Sequence, residues 1–247
     1  MPLAESEAVI LRSSNFGEAD KLVSFFSRSL GRLRGVAPNA RRSRRRFGAA
    51  LEPLSHVRLW FFEREGDELV RLSESELIEP FYDARGDFER SVALNQVAEL
   101  SDLLLPEREA AERSFRLLLA VLRGFRQSDA VWLPLTYFQL WMVRLAGWLP
   151  SLENCTQCRR TLSDEPAYVN PATGKLYCAR CRKPGARLLG ASSRTDAAAM
   201  LSNPLDKLAA EGWDRRRAAE LQALLLDIIE IHAERKLVTR ELLCEKA

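Results

Sequence analysis

The chain has little histidine and no long apolar run, and both absences narrow its possible functions. Only two of its 247 residues are histidines, His56 and His232, so histidine general-base catalysis has few candidates. Both lie in patterned segments, where they are expected to pack or to face solvent. No apolar run approaches the ~18 residues of a membrane span, and the first residues carry two acids and no basic lead-in. We expect a soluble cytoplasmic protein with no membrane partner.

Two motifs of nucleotide-directed enzymes are incomplete in this sequence. A phosphate-binding loop around ATGKL would need glycine at position 169 and Ser or Thr at position 176, which are Val169 and Leu176. A zinc deaminase needs H-x-E before P-C-x-x-C, whereas the HAE sequence at residues 232–234 follows both cysteine pairs. Carboxylates are plentiful, but nothing marks a catalytic pair. The sequence therefore predicts that the protein is not an enzyme.

Positive charge is concentrated in one short segment. Residues 27–51 contain eight arginines and no acid, and subtracting these eight charges from the formal net charge of +3 leaves −5 for the rest of the chain. Five of the eight form an arginine cluster within residues 41–46, interrupted only by Ser43. Guanidinium groups match phosphate oxygens bidentately and release counterions on contact, so a polyanion is the expected ligand. A solvated flexible loop is the simpler alternative.

A change of hydrophobic period near residue 80 separates two kinds of structure. Before it, short and nearly alternating apolar segments are broken by turn residues, and five short strands over roughly 75 residues fit a small closed barrel. After Pro80 the apolar residues recur at i, i+3 and i+4, which predicts helices. The last long helix is expected to begin at Asp214 and to bury His232 on its apolar face.

Two CxxC pairs separated by nineteen residues predict a metal site, because this spacing is typical of four-cysteine zinc centres. A hairpin with Pro171 and Gly174 at its tip would bring the pairs together. Four thiolates leave no position for water, so the Zn²⁺ is expected to be structural. Four unrelated core cysteines would have no reason to form two CxxC turns. The candidate ligands are Cys155, Cys158, Cys178 and Cys181.

The arginine cluster falls between predicted barrel strands, in a type of barrel that commonly binds nucleic acid. Phosphate contacts carry no base code, so weak sequence preference and steep salt dependence are expected. Some aromatic residues of this region could stack on bases, although most are expected in the core: Phe25, Phe26, Phe47, Trp60 and Phe61. The candidate DNA-binding residues are Lys21, Arg34, Arg41, Arg42, Arg44, Arg45 and Arg46.

The N-terminal segment contains the turn sequence R-x-x-x-F-G-E-x-D-x-L-V from Arg12 to Val23. This turn resembles the motif R-x-x-x-[FY]-G-E-x-D-x-L-V of the RecO family of bacterial DNA repair and recombination mediator proteins. The arginine cluster occupies the place of its basic loop, and residues 51–53 match its L-[EQ]-P segment.

The resemblance continues through the rest of the chain. Residues 145–158, LAGWLPSLENCTQC, match the family pattern L-x-G-x-x-P-x-L-x-x-C-x-x-C. The last helix is similar to the closing motif H-L-x-x-x-L-K-S-R-x-x-L, with Arg240 kept, but Val238 and Thr239 replace Lys and Ser.

This resemblance implies an α+β multidomain protein with an N-terminal OB-fold β-barrel, followed by an α-helical domain with an inserted four-cysteine zinc module. The expected boundaries are residues 1–80 for the nucleic-acid-binding barrel, 81–149 and 191–247 for the helical domain, and 150–190 for the zinc module. It further implies binding of single- and double-stranded DNA and single-strand annealing in the repair of DNA damage. Its implied partners are RecR, the C-terminal tail of single-strand-binding protein and the RecA pathway, in a cytoplasmic, nucleoid-associated setting.

Two other classes of function stay open on the residues alone. A zinc-containing interaction scaffold would use its arginines against an acidic protein surface and bind nucleic acid only incidentally. An enzyme acting on nucleic acid would need catalytic groups, yet no metal-binding carboxylate motif accompanies the basic segment.

Overall fold

The computed structural model of this chain describes residues 3–42, 46–63, 66–81, 86–127, 130–209 and 212–244. The chain forms two compact units, residues 1–126 and residues 127–247. These units do not follow the three predicted domains, whose boundaries stay a prediction. Among the described helices, none combines the length and apolarity needed to cross a bilayer.

Five strands of the first unit close into a barrel with the neighbour order β1-β2-β3-β5-β4. They are β1 (Leu3–Phe16), β2 (Asp20–Ser27), β3 (Gly31–Ala37), β4 (His56–Phe62) and β5 (Val70–Glu79). The β4 strand pairs with β1 and so completes the closure. The β3 and β5 strands pair in parallel, and the other neighbours are antiparallel. Five short strands are thus present in the segment where the alternating pattern predicts them.

The alternation along each strand directs one set of side chains into the barrel. On β4, for example, Val57, Leu59 and Phe61 are buried in the barrel core. The connection between β3 and β4 adds Phe47 and Leu51 to the same core. The segment that carries the arginine cluster is therefore fixed to the barrel by its own apolar residues.

Helices α1 (Phe88–Leu104) and α2 (Glu112–Gln127) contribute residues that pack on the outside of the barrel. Asp102 of α1 accepts a hydrogen bond from Ser24 Oγ at 2.6 Å. The Phe115 ring of α2 lies 6.0 Å from the Phe26 ring and 5.9 Å from the His56 ring, measured between centroids. His56 is buried, which agrees with its expected packing role.

The second unit contains helices and one small sheet. Its elements are α3 (Trp132–Leu145), β6 (Ala167–Asn170), β7 (Lys175–Tyr177), β8 (Arg187–Leu189), α4 (Ala191–Ser202), α5 (Arg215–His232) and α6 (Val238–Cys244). The sheet order is β7-β6-β8, with antiparallel neighbours. The sheet lies in sequence between α3 and α4, inside the segment predicted to bind zinc.

The long helix α5 confirms one sequence prediction and corrects another. Asp214 caps it as predicted, because its carboxylate accepts the Arg217 N–H at 2.8 Å. The predicted burial of His232 is wrong: the residue is exposed and its ring stacks on Trp148, with centroids 5.0 Å apart and planes at 14°. The reason is that α5 ends at His232, so this ring leaves the buried face.

Candidate nucleic-acid interface and metal centre

Hydrogen bonds to β5 hold the connection between β3 and β4 in place at Arg46. The Arg46 carbonyl accepts a hydrogen bond from Ser75 N of β5 at 3.0 Å. The Phe47 carbonyl accepts a second one from Ser75 Oγ at 3.4 Å. Together with the buried Phe47 side chain, these bonds hold this part of the cluster against the barrel.

Backbone carbonyls hold two of the arginines in place. Arg41 Nη1 donates to the carbonyls of Gly17 and Glu18, in the turn between β1 and β2, at 3.1 and 3.0 Å. Arg46 Nη2 donates to the Pro38 carbonyl at 2.7 Å. A neutral carbonyl orients a guanidinium group without cancelling its charge. These two cations are therefore positioned and still available to an anion.

The carboxylates nearest the cluster are weak competitors for such an anion. Arg42 Nη2 lies 3.9 Å from Glu18 Oε2, and the two side chains are 68% and 95% exposed. Lys21 Nζ lies 3.7 Å from Glu52 Oε1. The exposed pair of Arg42 with Glu18 contributes little at this distance, because water and salt screen it. The Lys21 side chain is 24% exposed, so its pair with Glu52 is screened less. A phosphate group can therefore replace Glu18 at small cost.

Arg34 lies farther along β3, opposite Ser24 of β2 in the sheet register. Its side chain is exposed and has no hydrogen-bond or ion-pair partner among the described residues. Two of the predicted DNA-binding residues, Arg44 and Arg45, lie outside the described residues. The structure places four of the others around the β1–β2 turn and in the connection that follows β3: Lys21, Arg41, Arg42 and Arg46. Arg34 lies in the middle of β3.

Two further arginines of the basic segment are neutralised. Arg28 donates to both carboxylate oxygens of Glu112, at 2.8 and 2.7 Å, and these bonds raise the pKa of Arg28 above its ordinary value. Arg32 Nη2 donates to Glu107 at 3.1 Å, and its Nη1 lies 3.7 Å from Asp102. The free positive surface is therefore smaller than the count of eight arginines suggested.

The five aromatic candidates predicted from the sequence give no fully open stacking surface. Four of the five candidates are buried, as expected for most of them: Phe25, Phe26, Phe47 and Phe61. Trp60 is partly exposed, but its Nε1 donates to Glu5 Oε2 at 3.1 Å. The carbonyls that position Arg41 and Arg46 could not be predicted from the sequence, because a carbonyl has no sequence signal beyond the turn that presents it.

The four predicted metal ligands are brought together in the second unit. The sulfurs of Cys155, Cys158, Cys178 and Cys181 all lie within 4.8 Å of one another. The Cys158 and Cys178 sulfurs are 3.9 Å apart, too far for a disulfide. Zn–S bonds of ~2.3 Å place the sulfurs of a tetrahedral site ~3.8 Å apart. The four side chains can therefore hold one metal ion, and their soft sulfur donors fit zinc.

The cysteine environment favours the thiolate of Cys155 and disfavours that of Cys181. Burial raises the pKa of Cys155, but hydrogen bonds from the backbone of Cys158, Cys178 and Gln157 outweigh it and lower the pKa to about 6. The pKa of Cys181 is raised to about 12, first by its hydrogen bond to Cys178 and then by burial. Four adjacent thiols cannot all ionise without a nearby cation, because the thiolates repel one another. A divalent ion would offset this repulsion and so remove the difference between the pKa values of Cys155 and Cys181.

Comparison with known proteins identifies the family. The model of the recombination protein O N-terminal domain matches residues 1–81, and that of its C-terminal domain matches residues 85–241. The DNA repair protein RecO of Koribacter versatilis is 46% identical over 237 residues, covering 96% of each chain. The proteins of the same name from Nocardioides sp. and Streptomyces griseus are 35% and 32% identical; these alignments cover 95% and 96% of this chain, and 96% and 97% of the relatives. This chain therefore belongs to the RecO family of DNA repair proteins.

Proposed function

We propose that the barrel is a nucleic-acid-binding OB fold and that it binds the phosphates of single- and double-stranded DNA. The observation that supports this best is the way in which Arg41 and Arg46 are held. Carbonyls position both guanidinium groups, whereas other arginines of the first unit, such as Arg28 and Arg123, bind carboxylates. The full proposed surface consists of Lys21, Arg34, Arg41, Arg42, Arg44, Arg45 and Arg46.

The mechanism we propose is non-enzymatic annealing of complementary strands. Two strands repel each other through their phosphates, and a surface that neutralises both lowers that repulsion. Bases can then find their register without a nucleotide cofactor. No group of the barrel surface needs to gain or lose a proton in this process, because arginine stays charged at physiological pH.

Membership of a DNA repair family supports a role in recombinational repair, with three proposed partners. These are RecR, the C-terminal tail of single-strand-binding protein, and the RecA recombinase, whose loading on coated DNA the protein would assist. We propose a structural Zn²⁺ at the cysteine site, where the ion would cross-link two turns of a segment with short strands.

The salt dependence of DNA binding tests the barrel proposal. For single strands, each phosphate contact contributes about 0.7 to the slope of log K against log salt concentration. A variant with Arg41, Arg42 and Arg46 changed to alanine should therefore lose up to about 2.1 of that slope. Lysine substitutions at the same three positions keep the charges and should keep the slope. This comparison separates charge from the structural effect of losing the carbonyl bonds.

A control removes two charges from exposed positions of α2, outside the strands and turns of the proposed surface. Arg113 and Arg116 are exposed and have no hydrogen bond or ion pair within the described parts of the chain, although Arg116 interacts at longer range with Glu112. Their alanine variant should bind DNA with nearly the parent slope. An equal loss of slope in both alanine variants would mean a diffuse charge effect, and an unchanged slope in the first would overturn the proposed surface.

Competition with short DNA separates this proposal from a protein scaffold, because a scaffold would not release its protein partner when short DNA is added.

A further inference from the structure

The small sheet of the second unit has one buried face and one partly open face. Strand alternation places Ala167, Val169, Leu176 and Leu189 on the buried face, and all four are fully buried. On the other face the partly exposed Tyr168 stands between the buried Tyr177 and Leu188, which is 50% exposed, and Asn170 stands opposite Lys175. The open face thus presents an aromatic ring beside an aliphatic side chain and a cation.

The loop that follows the second cysteine pair lies over this open face. The Arg182 guanidinium carbon is 4.6 Å from the centroid of the Tyr168 ring, which is a cation–π contact. A Cβ atom on Gly185 would lie 3.8 Å from Asn170 Nδ2, so the loop also passes beside Asn170. The loop and the sheet together form one surface.

The segment that contains this surface is positively charged, and most of its cations have no acidic partner among the described residues. Residues 150–190 contain seven Lys and Arg against three Asp and Glu, which gives a net charge of +4. Two of the seven are ion-paired, Arg160 with Glu165 and Arg187 with Asp227. The other five have exposed side chains without an acidic partner in the portion of the chain that the structure describes: Arg159, Lys175, Arg180, Arg182 and Lys183.

We propose that this surface is a second nucleic-acid site, which binds a single strand by stacking a base on Tyr168 and by pairing phosphates with Lys175, Arg182 and Lys183. The inference rests on the proposed function and deepens it, because it assigns a second strand its own surface in the second unit. Open aromatic rings with a basic rim are the usual platform for unpaired bases. The Arg182 guanidinium covers this ring, so a base reaches Tyr168 by displacing it, and the arginine plane can then stack on the other side of that base.

The chemistry of the surface selects a single strand over other polyanions. A duplex or an inorganic polyphosphate would use the cations but leave the Tyr168 ring and the Leu188 side chain without a role. An unpaired base uses all three features, since its face is apolar and its backbone carries the charge. An acidic protein surface is the competing ligand that the experiment must separate.

The test uses the full chain loaded with zinc, in the variant with Arg41, Arg42, Arg44, Arg45 and Arg46 changed to alanine, which removes the arginine cluster of the barrel. An oligo-dT carrying 5-iodouracil is irradiated with the protein, and the cross-linked residue is mapped by mass spectrometry. We expect the cross-link at Tyr168. In the same background, Arg182→Ala with Lys183→Ala should lower the salt slope of oligo-dT binding by about 1.4, twice the 0.7 expected for one phosphate.

The matched control is the pair Arg144→Ala and Arg235→Ala, two exposed residues of the second unit with no side-chain partner in the described ranges. This pair should leave the slope and the cross-link unchanged. Retention of one zinc per chain shows in each variant that the module is folded, so a loss of binding reports the surface itself.

The outcomes separate this inference from the barrel proposal. If the barrel variant binds no DNA although the unchanged protein does, the inference fails and the barrel proposal stands. If the barrel variant binds DNA like the unchanged protein, and alanine at Arg182 and Lys183 abolishes binding, the barrel proposal fails and the second site stands. A cross-link outside the small sheet, or equal slopes for the test pair and the control pair, would overturn the second site.

Discussion

Replacing Glu230 by alanine is expected to destabilise the second unit by about 3 kcal/mol. The Glu230 side chain is 6% exposed and accepts three hydrogen bonds. They come from Leu237 N at 2.9 Å, Arg240 Nη1 at 2.7 Å and Lys236 Nζ at 3.0 Å. These bonds attach the start of α6 to the end of α5.

The three hydrogen bonds to Glu230 contribute unequally to the free energy of unfolding. Removing the acceptor leaves the buried Leu237 N–H unpaired, at about 2 kcal/mol. Arg240 loses one carboxylate but keeps Asp227, which its Nη2 meets at 2.7 Å, so that loss is about 1 kcal/mol. The Lys236 side chain is 89% exposed, and its pair adds little because water screens it.

Urea unfolding monitored by hydrogen exchange of the α6 amides measures this effect and assigns it to the second unit. Glu230→Gln keeps an oxygen acceptor for Leu237 and should cost less than half as much as alanine. Lys236→Ala, the control within the same network, should stay within about 0.5 kcal/mol of the parent. A Glu230→Ala protein as stable as the parent, or no more affected than Lys236→Ala, would refute this reasoning.

The same network predicts a pH dependence. Burial acts to raise the pKa of Glu230, but the Leu237 N–H, Lys236 and Arg240 outweigh it and hold the pKa below its ordinary value. The folded state therefore releases this proton more readily than the unfolded state. Its contribution to stability is complete above the ordinary carboxyl pKa and is lost as the pH falls below it. Glu230→Gln should remove this part of the acid dependence.

Three further predictions concern single positions. Burial lowers the pKa of His56, so its NMR titration in the folded protein should have a midpoint below ~6.5, and a higher midpoint would contradict this. Stability should fall as the pH drops below ~6.5, because the unfolded state takes this proton more readily than the folded state. Gly31→Ala should lower the free energy of unfolding by at least about 3 kcal/mol, because a Cβ there would lie 2.2 Å from the Glu109 carbonyl oxygen. Gly17 is also at positive φ but has open space around it, so Gly17→Ala should cost only about 1 kcal/mol. Thermal unfolding measures both variants. Cys178→Ser should lose the bound zinc and lower the melting temperature as much as a chelator does, and full retention of both would count against the metal site.

Local patterns predicted the elements whose causes are local. The alternation of Val57, Leu59 and Phe61 indicated a strand, and Asp214 indicated the start of a helix, because a pleat and an N-cap depend on adjacent residues. The two CxxC pairs also predicted the metal site, because a single turn is enough to direct the two sulfurs of each pair toward one ion.

Contacts between distant residues could not be predicted in this way. The sequence placed Arg28 in the basic segment, but the structure pairs it with Glu112, 84 residues away. The spacing of His232 fits the apolar face of α5, but the helix ends at this residue and its ring stacks on Trp148 instead. The open face around Tyr168 likewise depends on a strand register and on a loop returning over the sheet.

The most direct test of the account measures annealing of complementary oligonucleotides precoated with the cognate single-strand-binding protein, without any nucleotide cofactor. The protein should accelerate annealing, and the variant with alanine at Arg41, Arg42, Arg44, Arg45 and Arg46 should lose that acceleration. No acceleration by the unchanged protein, despite clean DNA binding, would contradict the annealing function and leave a nucleic-acid-binding scaffold. Equal acceleration by the five-alanine variant would instead remove the arginine cluster from the mechanism.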